Sequence, residues 1–316
     1  MESVFFVLAG LVLLVAGGEY LVKAAVSLSL QLKLSRIVIG MTVVSFATSV
    51  PELLVSLMAG LKGHPDIALS NVIGSNIANI ALVLGLTAVL MPITVKKQTY
   101  RYNWPAMIFL SALLILFLHT GRRLSRVEGF VLFAFLVLFT MYIIRQSYKA
   151  GDVKDDSFDA VLHNTKPLKV FLWLLLGGVA LWGGSELLVN GSVDIARKLH
   201  ISERMIGITL IALGTSIPEL AASLVSAYRK ERDLSLGNLI GSNIFNIGSV
   251  LGITAMIKPI EGFEDKVLNN DVVWMFLISL LVVPLALLPP KNLINWWKAS
   301  VFVILYLTFI YLSFFG

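Results

Sequence analysis

The sequence predicts an all-α integral membrane protein with ten transmembrane helices, arranged as two inverted repeats of five helices each. Hydrophobic residues make up 57% of the 316-residue chain and charged residues 14%, whereas a soluble domain has about 25% charged residues. Apolar runs of about 20 residues, the length that crosses a bilayer as a helix, recur along the chain. These runs lack the period-two alternation of a membrane β-barrel.

An internal duplication is the second observation. Residues 40–56 (GMTVVSFATSVPELLVS) match residues 207–223 (GITLIALGTSIPELAAS), and residues 69–86 (LSNVIGSNIANIALVLGL) match residues 236–253 (LGNLIGSNIFNIGSVLGI). Both matches lie at a shift of 167 without a gap, and 20 of the 35 aligned positions are identical. Internal similarity of this kind indicates a duplicated structural unit.

The apolar runs divide into five spans on each side of a polar segment. We therefore expect an N-terminal repeat (1–145), a cytoplasmic linker (146–169) and a C-terminal repeat (170–316). Because five is odd, the second repeat enters the membrane from the opposite side, an arrangement typical of secondary transporters. The predicted spans are about 3–25, 37–61, 67–91, 104–119, 127–145, 170–192, 204–228, 234–257, 271–288 and 298–315.

Lysine and arginine counts predict the orientation. With the N-terminus outside, cytoplasmic segments hold 16 of the 25 basic residues, as the positive-inside rule requires. Loop charges then account for the net charge of +6, and no nucleic-acid partner is expected. The first apolar run lacks the basic start of a cleavable signal, since it begins with Glu2. The short loops favour a prokaryotic plasma (inner) membrane.

Each repeat carries one carboxylate inside an apolar run. Glu52 lies near the middle of the second predicted span, and Glu219 lies near the middle of the seventh. A charged side chain at the bilayer centre costs roughly 2.5–3.5 kcal/mol even on lenient insertion scales. No lysine or arginine falls mid-membrane in the predicted spans, so simple ion pairing does not explain the pair. A protonated glutamate remains the structural alternative to a functional one.

A proline precedes each of these glutamates. Pro51 and Pro218 cannot donate a backbone hydrogen bond, and each frees a carbonyl about four residues earlier, near Ala47 and Gly214. Freed carbonyls at membrane depth are tolerated where they line a site, although a proline kink can also be purely structural. The hydroxyl side chains three and four residues before the glutamates, on the same predicted helical face, are Ser49, Thr48, Ser216 and Thr215.

The motifs GSNIANI and GSNIFNI lie in the third and eighth predicted spans. In each motif a serine and an asparagine four residues apart share a helical face and offer uncharged oxygens. Helix packing through small and amide side chains is the alternative, and we expect it for Asn76 and Asn243, one residue from that face. The paired positions are Ser75 with Asn79 and Ser242 with Asn246.

Together the two repeats predict an oxygen-lined site with two carboxylates. Oxygen ligands suit hard cations such as Ca²⁺, Mg²⁺ or Na⁺, whereas transition metals would recruit imidazole or thiolate. The chain has no cysteine, and its four histidines fall in or near loops. Glu19 and Glu186 also match at the shift of 167. We expect them to have an interfacial structural role, with Lys23 one turn from Glu19, rather than to line an access path.

The paired motifs TSVPE…GSNIANI and TSIPE…GSNIFNI resemble the α1 and α2 repeats of the cation/calcium exchanger superfamily, which includes the Na⁺/Ca²⁺ exchangers. The resemblance covers nearly the whole chain and points to the compact prokaryotic members. It implies an antiporter, not an enzyme, that exports Ca²⁺ by alternating access, with spans one and six sliding across the rest. Ca²⁺ and Na⁺ would be the substrates of a monomeric transport unit in the lipid bilayer, without a cofactor.

The resemblance also implies roles for individual residues. Glu52 and Glu219 would be the central ligands, shared by Ca²⁺ and Na⁺. The backbone carbonyls of Thr48 and Thr215 would complete the Ca²⁺ shell. The other implied contributors are Ser49, Ser75, Ser216 and Ser242 at flanking Na⁺ sites, carbonyls near Ser45 and Ala212, and Asn79 and Asn246 beside the glutamates.

One departure from the family pattern leaves the coupling ion open. Some sodium-coupled relatives carry aspartate where this chain has Asn246, and proton-coupled relatives commonly have amides at both such positions. The two carboxylates give a formal charge of −2, which one Ca²⁺ or two protons would neutralise. Na⁺/Ca²⁺ exchange is favoured and H⁺/Ca²⁺ exchange is the alternative. A cation channel is a remote alternative, and no catalytic constellation such as HExxH supports an enzyme.

Overall fold

The computed structural model describes residues 2–150, 162, 164–199 and 214–315. These residues fold into helices because a helix satisfies every backbone polar group within itself, as a lipid environment requires. The helices of the first half are α1 (Glu2–Gln31), α2 (Arg36–Thr48), α3 (Val50–Lys62), α4 (Pro65–Leu90), α5 (Thr99–Gly121) and α6 (Arg126–Ala150). Those of the second half are α7 (Pro167–Lys198), α8 (Ile217–Tyr228), α9 (Arg232–Ile257), α10 (Val267–Leu287) and α11 (Trp296–Phe315).

Within the described ranges, eight helices are long and apolar enough to cross a membrane. The pair α2 and α3, bent by 47°, forms a ninth candidate span. The predicted all-α membrane class is therefore confirmed. The predicted seventh span, 204–228, lies only partly in the described residues, which contain its last turns as α8. Half of the predicted linker also lies outside them, and α6 and α7 extend into its two ends.

The break between α2 and α3 places a carboxylate at the start of a helix. Ser49 leaves the helical conformation with φ −87° and ψ 2°, and Pro51 occupies the first turn of α3. Proline suits that turn because the first N–H groups of a helix have no partner within it. Glu52 follows in the same turn. Thr48 and Glu52 thus lie on either side of a bend, which interrupts the helical face expected from their spacing.

The second half repeats this arrangement. Ser216 precedes α8 with φ −89° and ψ −1°, Pro218 lies in the first turn, and Glu219 follows it. The carbonyl of Gly214, one of the two expected to be freed by a proline, accepts a 2.6 Å hydrogen bond from Ser185 Oγ of α7. The prolines therefore shape both helix starts in the same way.

The two central helices are α4 and α9. Over their apolar windows 78% of residues are buried, against 22% for α6, α7 and α11, which face lipid. Both central helices contain π-helical turns, Ala78–Leu84 and Asn246–Leu251, at nearly equivalent positions of the repeat. Such turns are frequently found at functional sites.

Helices α1 and α7 form an antiparallel pair that crosses the rest of the molecule. Glycines permit close backbone approach along this pair, as small residues do between membrane helices. A Cβ on Gly10 would lie 2.7 Å from the backbone N of Leu188, and one on Gly17 would lie 2.8 Å from that of Leu181. The pair therefore packs as one unit.

Short strands connect the two halves at both ends of the molecule. Strand β1 (Ile93–Thr94) pairs antiparallel with β4 (Leu293–Ile294), and β2 (Arg123–Leu124) pairs with β3 (Ile260–Glu261). The predicted topology places β1 and β4 in cytoplasmic loops and β2 and β3 in outer loops. Ion pairs between segments of the two halves predicted to lie on one side are Arg36 with Glu231, Lys96 with Asp233, and Arg122 with Asp265.

Candidate cation site

The two glutamates occupy equivalent places in the two halves. Glu52 in the first turn of α3 and Glu219 in the first turn of α8 are both completely buried. Ser75 links them, since its Oγ donates to Glu52 Oε1 at 3.5 Å and lies 3.3 Å from Oγ1 of Thr215, one turn before Glu219. The positive end of each helix dipole favours a carboxylate at this position. The structure therefore brings together the two acids that the sequence placed mid-membrane.

Hydroxyl groups next to the starts of α3 and α8 each contact the central helix of the other half. Thr48 Oγ1 lies 3.4 Å from Ser242 Oγ, and Thr215 Oγ1 lies 3.3 Å from Ser75 Oγ. These two contacts map onto each other at the shift of 167. Ser75 Oγ also donates a 3.5 Å hydrogen bond to Glu52 Oε1. Four predicted site residues thus surround the carboxylates in two matching pairs.

Two asparagines that the sequence analysis did not select hold this arrangement in place. Asn71 Nδ2 donates to Ser56 Oγ at 2.9 Å and to the Glu52 carbonyl at 3.3 Å. Asn238, its equivalent, donates to Ser223 Oγ at 3.2 Å. Its Oδ1 accepts from Thr48 Oγ1 at 3.3 Å. Both asparagines are identical between the aligned repeats, and that identity was the signal that could have found them.

The asparagines of the GSN motifs divide into two roles. Asn76 Nδ2 donates to the Asn243 carbonyl at 3.3 Å, and Asn243 Nδ2 donates to the Asn76 carbonyl at 3.1 Å. This exchange joins α4 to α9, as the packing interpretation expects. Asn246 Nδ2 donates to Asn76 Oδ1 at 3.0 Å. The amide nitrogen of Asn246 is therefore used in a hydrogen bond to Asn76.

Several buried oxygens at this place have no protein partner within the described part of the chain. They belong to both glutamates, to the π-turn asparagines and to the serines at the breaks. A buried polar group without a hydrogen bond costs about 1–3 kcal/mol, and more when it is charged. Neither glutamate forms an ion pair with a described lysine or arginine. The atoms are Glu52 Oε2, Glu219 Oε1 and Oε2, Asn79 Oδ1, Asn246 Oδ1, Ser49 Oγ and Ser216 Oγ.

The remaining implied positions are less central. Ser45 Oγ bonds to the carbonyls of Gly40 and Asn238, at 2.8 and 2.9 Å, so its hydroxyl serves the packing of α2 against α9. Ala212 lies outside the described residues. Glu19 does pair at an interface, but its partner is Arg229 of the α8–α9 connection and not Lys23, which lies over the Tyr20 ring.

A comparison with known protein families assigns the chain to a family. The family model described as sodium/calcium exchanger protein matches residues 2–145 and 169–315. The chain belongs to the sodium/calcium exchanger family. It is a cation/Ca²⁺ antiporter and an integral multi-pass membrane protein, in a family of transporters rather than enzymes.

Individual relatives resemble the exchanger along most of its length. Inner membrane protein YrbG of Escherichia coli (strain K12) is 37% identical over 279 residues, 87% of this chain and 85% of that protein. Sodium/calcium exchanger MaX1 of Methanosarcina acetivorans is 30% identical over 343 aligned residues, 98% of this chain and 97% of that protein. The solved sodium-calcium exchanger NCX_Mj, soaked with zero Na⁺ and Ca²⁺, superposes on the exchanger with a TM-score of 0.82. It is 30% identical and covers 99% of this chain and 98% of its own.

Proposed function

We propose that the exchanger exports Ca²⁺ in exchange for Na⁺, by alternating access to one site between the starts of α3 and α8. The observation that carries this proposal is the complete burial of Glu52 and Glu219 at the starts of α3 and α8, which the contact between Ser75 and Thr215 links. Two carboxylates supply up to four oxygens, and Ca²⁺ takes six to eight. The carbonyls of Thr48 and Thr215 are the proposed additional Ca²⁺ ligands.

The charge of the site explains why transport is an exchange. Two ionised carboxylates held away from water are costly unless a cation accompanies them. A carrier without cargo therefore rarely changes the side to which its site is open. Loading with Ca²⁺, or with monovalent cations, lowers this cost and permits the change. Ca²⁺ leaving the cell is thus coupled to the entry of the counter-ion.

The surrounding neutral oxygens favour Na⁺ over H⁺ as the counter-ion. A proton needs one acceptor oxygen, whereas Na⁺ needs a cage of several oxygens. In support, the matched contacts Thr48–Ser242 and Thr215–Ser75 bring neutral oxygens together near the starts of α3 and α8. In this proposal Na⁺ is held by Ser49, Ser75, Ser216 and Ser242, by carbonyls near Ser45 and Ala212, and beside Asn79 and Asn246.

The proposal includes a ten-span, inverted-repeat topology with the N-terminus outside. In support, the strands β1 and β4, which this topology places on the cytoplasmic side, pair with each other, and so do the outer strands β2 and β3. We place the protein as a monomeric transport unit in a prokaryotic plasma membrane, since the relative YrbG is named an inner membrane protein.

Ca²⁺ flux in liposomes tests the proposal. Vesicles loaded with Na⁺ should take up Ca²⁺ only when an outward Na⁺ gradient is present, and an imposed pH gradient should leave the uptake unchanged. Uptake driven by the pH gradient instead would assign H⁺/Ca²⁺ exchange to the same two glutamates. Ca²⁺ flux without any counter-ion would indicate a channel.

A further inference from the structure

A bidentate ion pair ties α1 to the end of α8. Arg229 Nε donates to Glu19 Oε1 at 2.7 Å, and a terminal guanidinium nitrogen of Arg229 donates to Glu19 Oε2 at 2.6 Å. Paired, parallel hydrogen bonds of this type are geometrically specific. The pair joins the α1–α7 unit to the part of the molecule that holds the site.

The backbone of α1 next to this ion pair also packs against α8. A Cβ on Gly18 would lie 2.8 Å from Val225 Cγ2 and 3.4 Å from the Ala221 carbonyl. The absence of a side chain at Gly18 therefore allows α1 to lie directly against α8. Close helix packing and the ion pair therefore both stabilise the contact between α1 and α8.

The other half carries the same charges but does not make the contact. The shift of 167 carries Glu19 onto Glu186 and Lys62 onto Arg229. Glu186 and Lys62 are both exposed, and no ion pair of either is found among the described residues. Leu54, which corresponds to Ala221, is 51% exposed.

A groove lies next to the place where this contact is missing. A cavity of about 410 Å³ separates α7 from the α2–α3 break, with Leu54 and Pro51 on one wall and Gly178 and Trp182 on the other. Packing therefore covers the contact of α1 with α8, whereas Leu54 and Met58, at the corresponding positions of α3, are about half exposed. In a transporter built from inverted repeats, the opposite end state exchanges the conformations of the two repeats.

We infer that Glu19–Arg229 and Glu186–Lys62 are alternative ion pairs that position the α1–α7 unit in the two end states of the exchange cycle. This inference rests on the alternating access of the proposed function. When α1 leaves α8, α7 packs against α3 in the way that α1 now packs against α8, and Glu186 reaches Lys62. Each end state then contains one such pair. Breaking a pair destabilises the end state that contains it and raises the population of the other end state.

A thiol reporter in the groove measures this balance, because the chain has no native cysteine. Leu54→Cys is suitable, since this side chain lines the groove, is 51% exposed and corresponds to Ala221, against which Gly18 packs. In that background Glu19→Gln should slow labelling by a membrane-permeant maleimide about two- to five-fold, the worth of a partly exposed ion pair. Glu186→Gln should leave labelling unchanged or faster, and Glu19→Arg with Arg229→Glu should restore the parent rate.

Equal labelling of the Glu19→Gln and Glu186→Gln proteins, or slower labelling of both, would overturn the inference. A second measurement uses Lys62→Cys with Glu186→Cys and a bifunctional thiol reagent long enough to span an ion pair. Cross-linking should occur and should stop Ca²⁺ exchange until the link is reduced, and failure to cross-link would count against the inference. If labelling shifts as expected but no Na⁺-driven Ca²⁺ flux is found, the proposed function fails and the alternative pairs remain.

Discussion

Asn71 Nδ2 lies 2.9 Å from Ser56 Oγ and 3.3 Å from the carbonyl oxygen of Glu52. One amide of α4 thereby holds the first turn of α3, from which the Glu52 side chain projects. Asn238 of α9 makes the equivalent bond to Ser223 of α8 at 3.2 Å. The position of each carboxylate thus depends on a side chain of a central helix that carries no charge itself.

Asn71→Ala should weaken both folding and cation binding. It removes two buried hydrogen bonds, each of which contributes about 0.5–1.5 kcal/mol to stability, while Ser56 Oγ keeps its bond to the Ala68 carbonyl. Glu52 also loses its support, so the apparent Ca²⁺ affinity should fall together with the melting temperature. Thermal unfolding in detergent and Ca²⁺ flux in liposomes measure the two effects. Asn238→Ala is the matched variant, and a fall in stability without any change in Ca²⁺ affinity would contradict the positioning role.

Glu52→Gln and Glu219→Gln should each abolish exchange. Glutamine keeps the shape of the side chain and removes one unit of charge. At a few ångströms from a cation one charge is worth several kcal/mol at an effective dielectric constant of about 20. We therefore expect Ca²⁺ affinity to fall by at least about 100-fold, measured as Ca²⁺ uptake by proteoliposomes.

The control for the glutamates is Glu261→Gln, at an exposed position in β3 outside the helices. It should exchange Ca²⁺ at the parent rate. Parent-like exchange by either Glu52→Gln or Glu219→Gln would show that Ca²⁺ does not bind between α3 and α8.

Lys298 should matter for stability and not for transport. Its buried Nζ donates hydrogen bonds of 2.7–2.8 Å to the carbonyls of Leu288, Pro290 and Leu293, in the connection between α10 and α11. Lys298→Met leaves these carbonyls without their donor, so thermal unfolding should show a loss of about 1–3 kcal/mol. Lys291→Met, at an exposed position of the same connection, should unfold like the parent.

The sequence predicted the membrane class and the two acids because their signals are local. A carboxylate in an apolar run is costly wherever the chain takes it, so Glu52 and Glu219 were visible without any structure. The shift of 167 then predicted that they belong together, since equivalent residues of a duplicated transporter meet at the repeat interface. Ser75 and Ser242 followed from their spacing within the same motifs.

Features that depend on distant contacts were not visible in the same way. Lys23, one turn from Glu19, was the obvious partner by spacing, yet Arg229 lies 210 residues away in sequence. The bend at Ser49 changes which residues share a helical face. The angle of this bend cannot be derived from the spacing of residues along a helix. Asn71 lies within the aligned repeats but outside the GSNIANI motif. Only its contacts in the structure show that it supports the first turn of α3.

Ser75→Ala and Ser242→Ala test the counter-ion most directly. Each removes one neutral oxygen from a matched hydroxyl contact while leaving both carboxylates in place. If Na⁺ binds there, the Na⁺ concentration needed for half-maximal exchange should rise several-fold in both variants, and Ca²⁺ affinity should change less. The control is Ser111→Ala, a buried serine whose hydroxyl bonds only to the Met107 carbonyl of its own helix at 2.9 Å. Exchange that keeps the parent's Na⁺ dependence in both variants, while responding to pH, would favour the proton-coupled alternative, because a proton on a carboxylate does not need these hydroxyls.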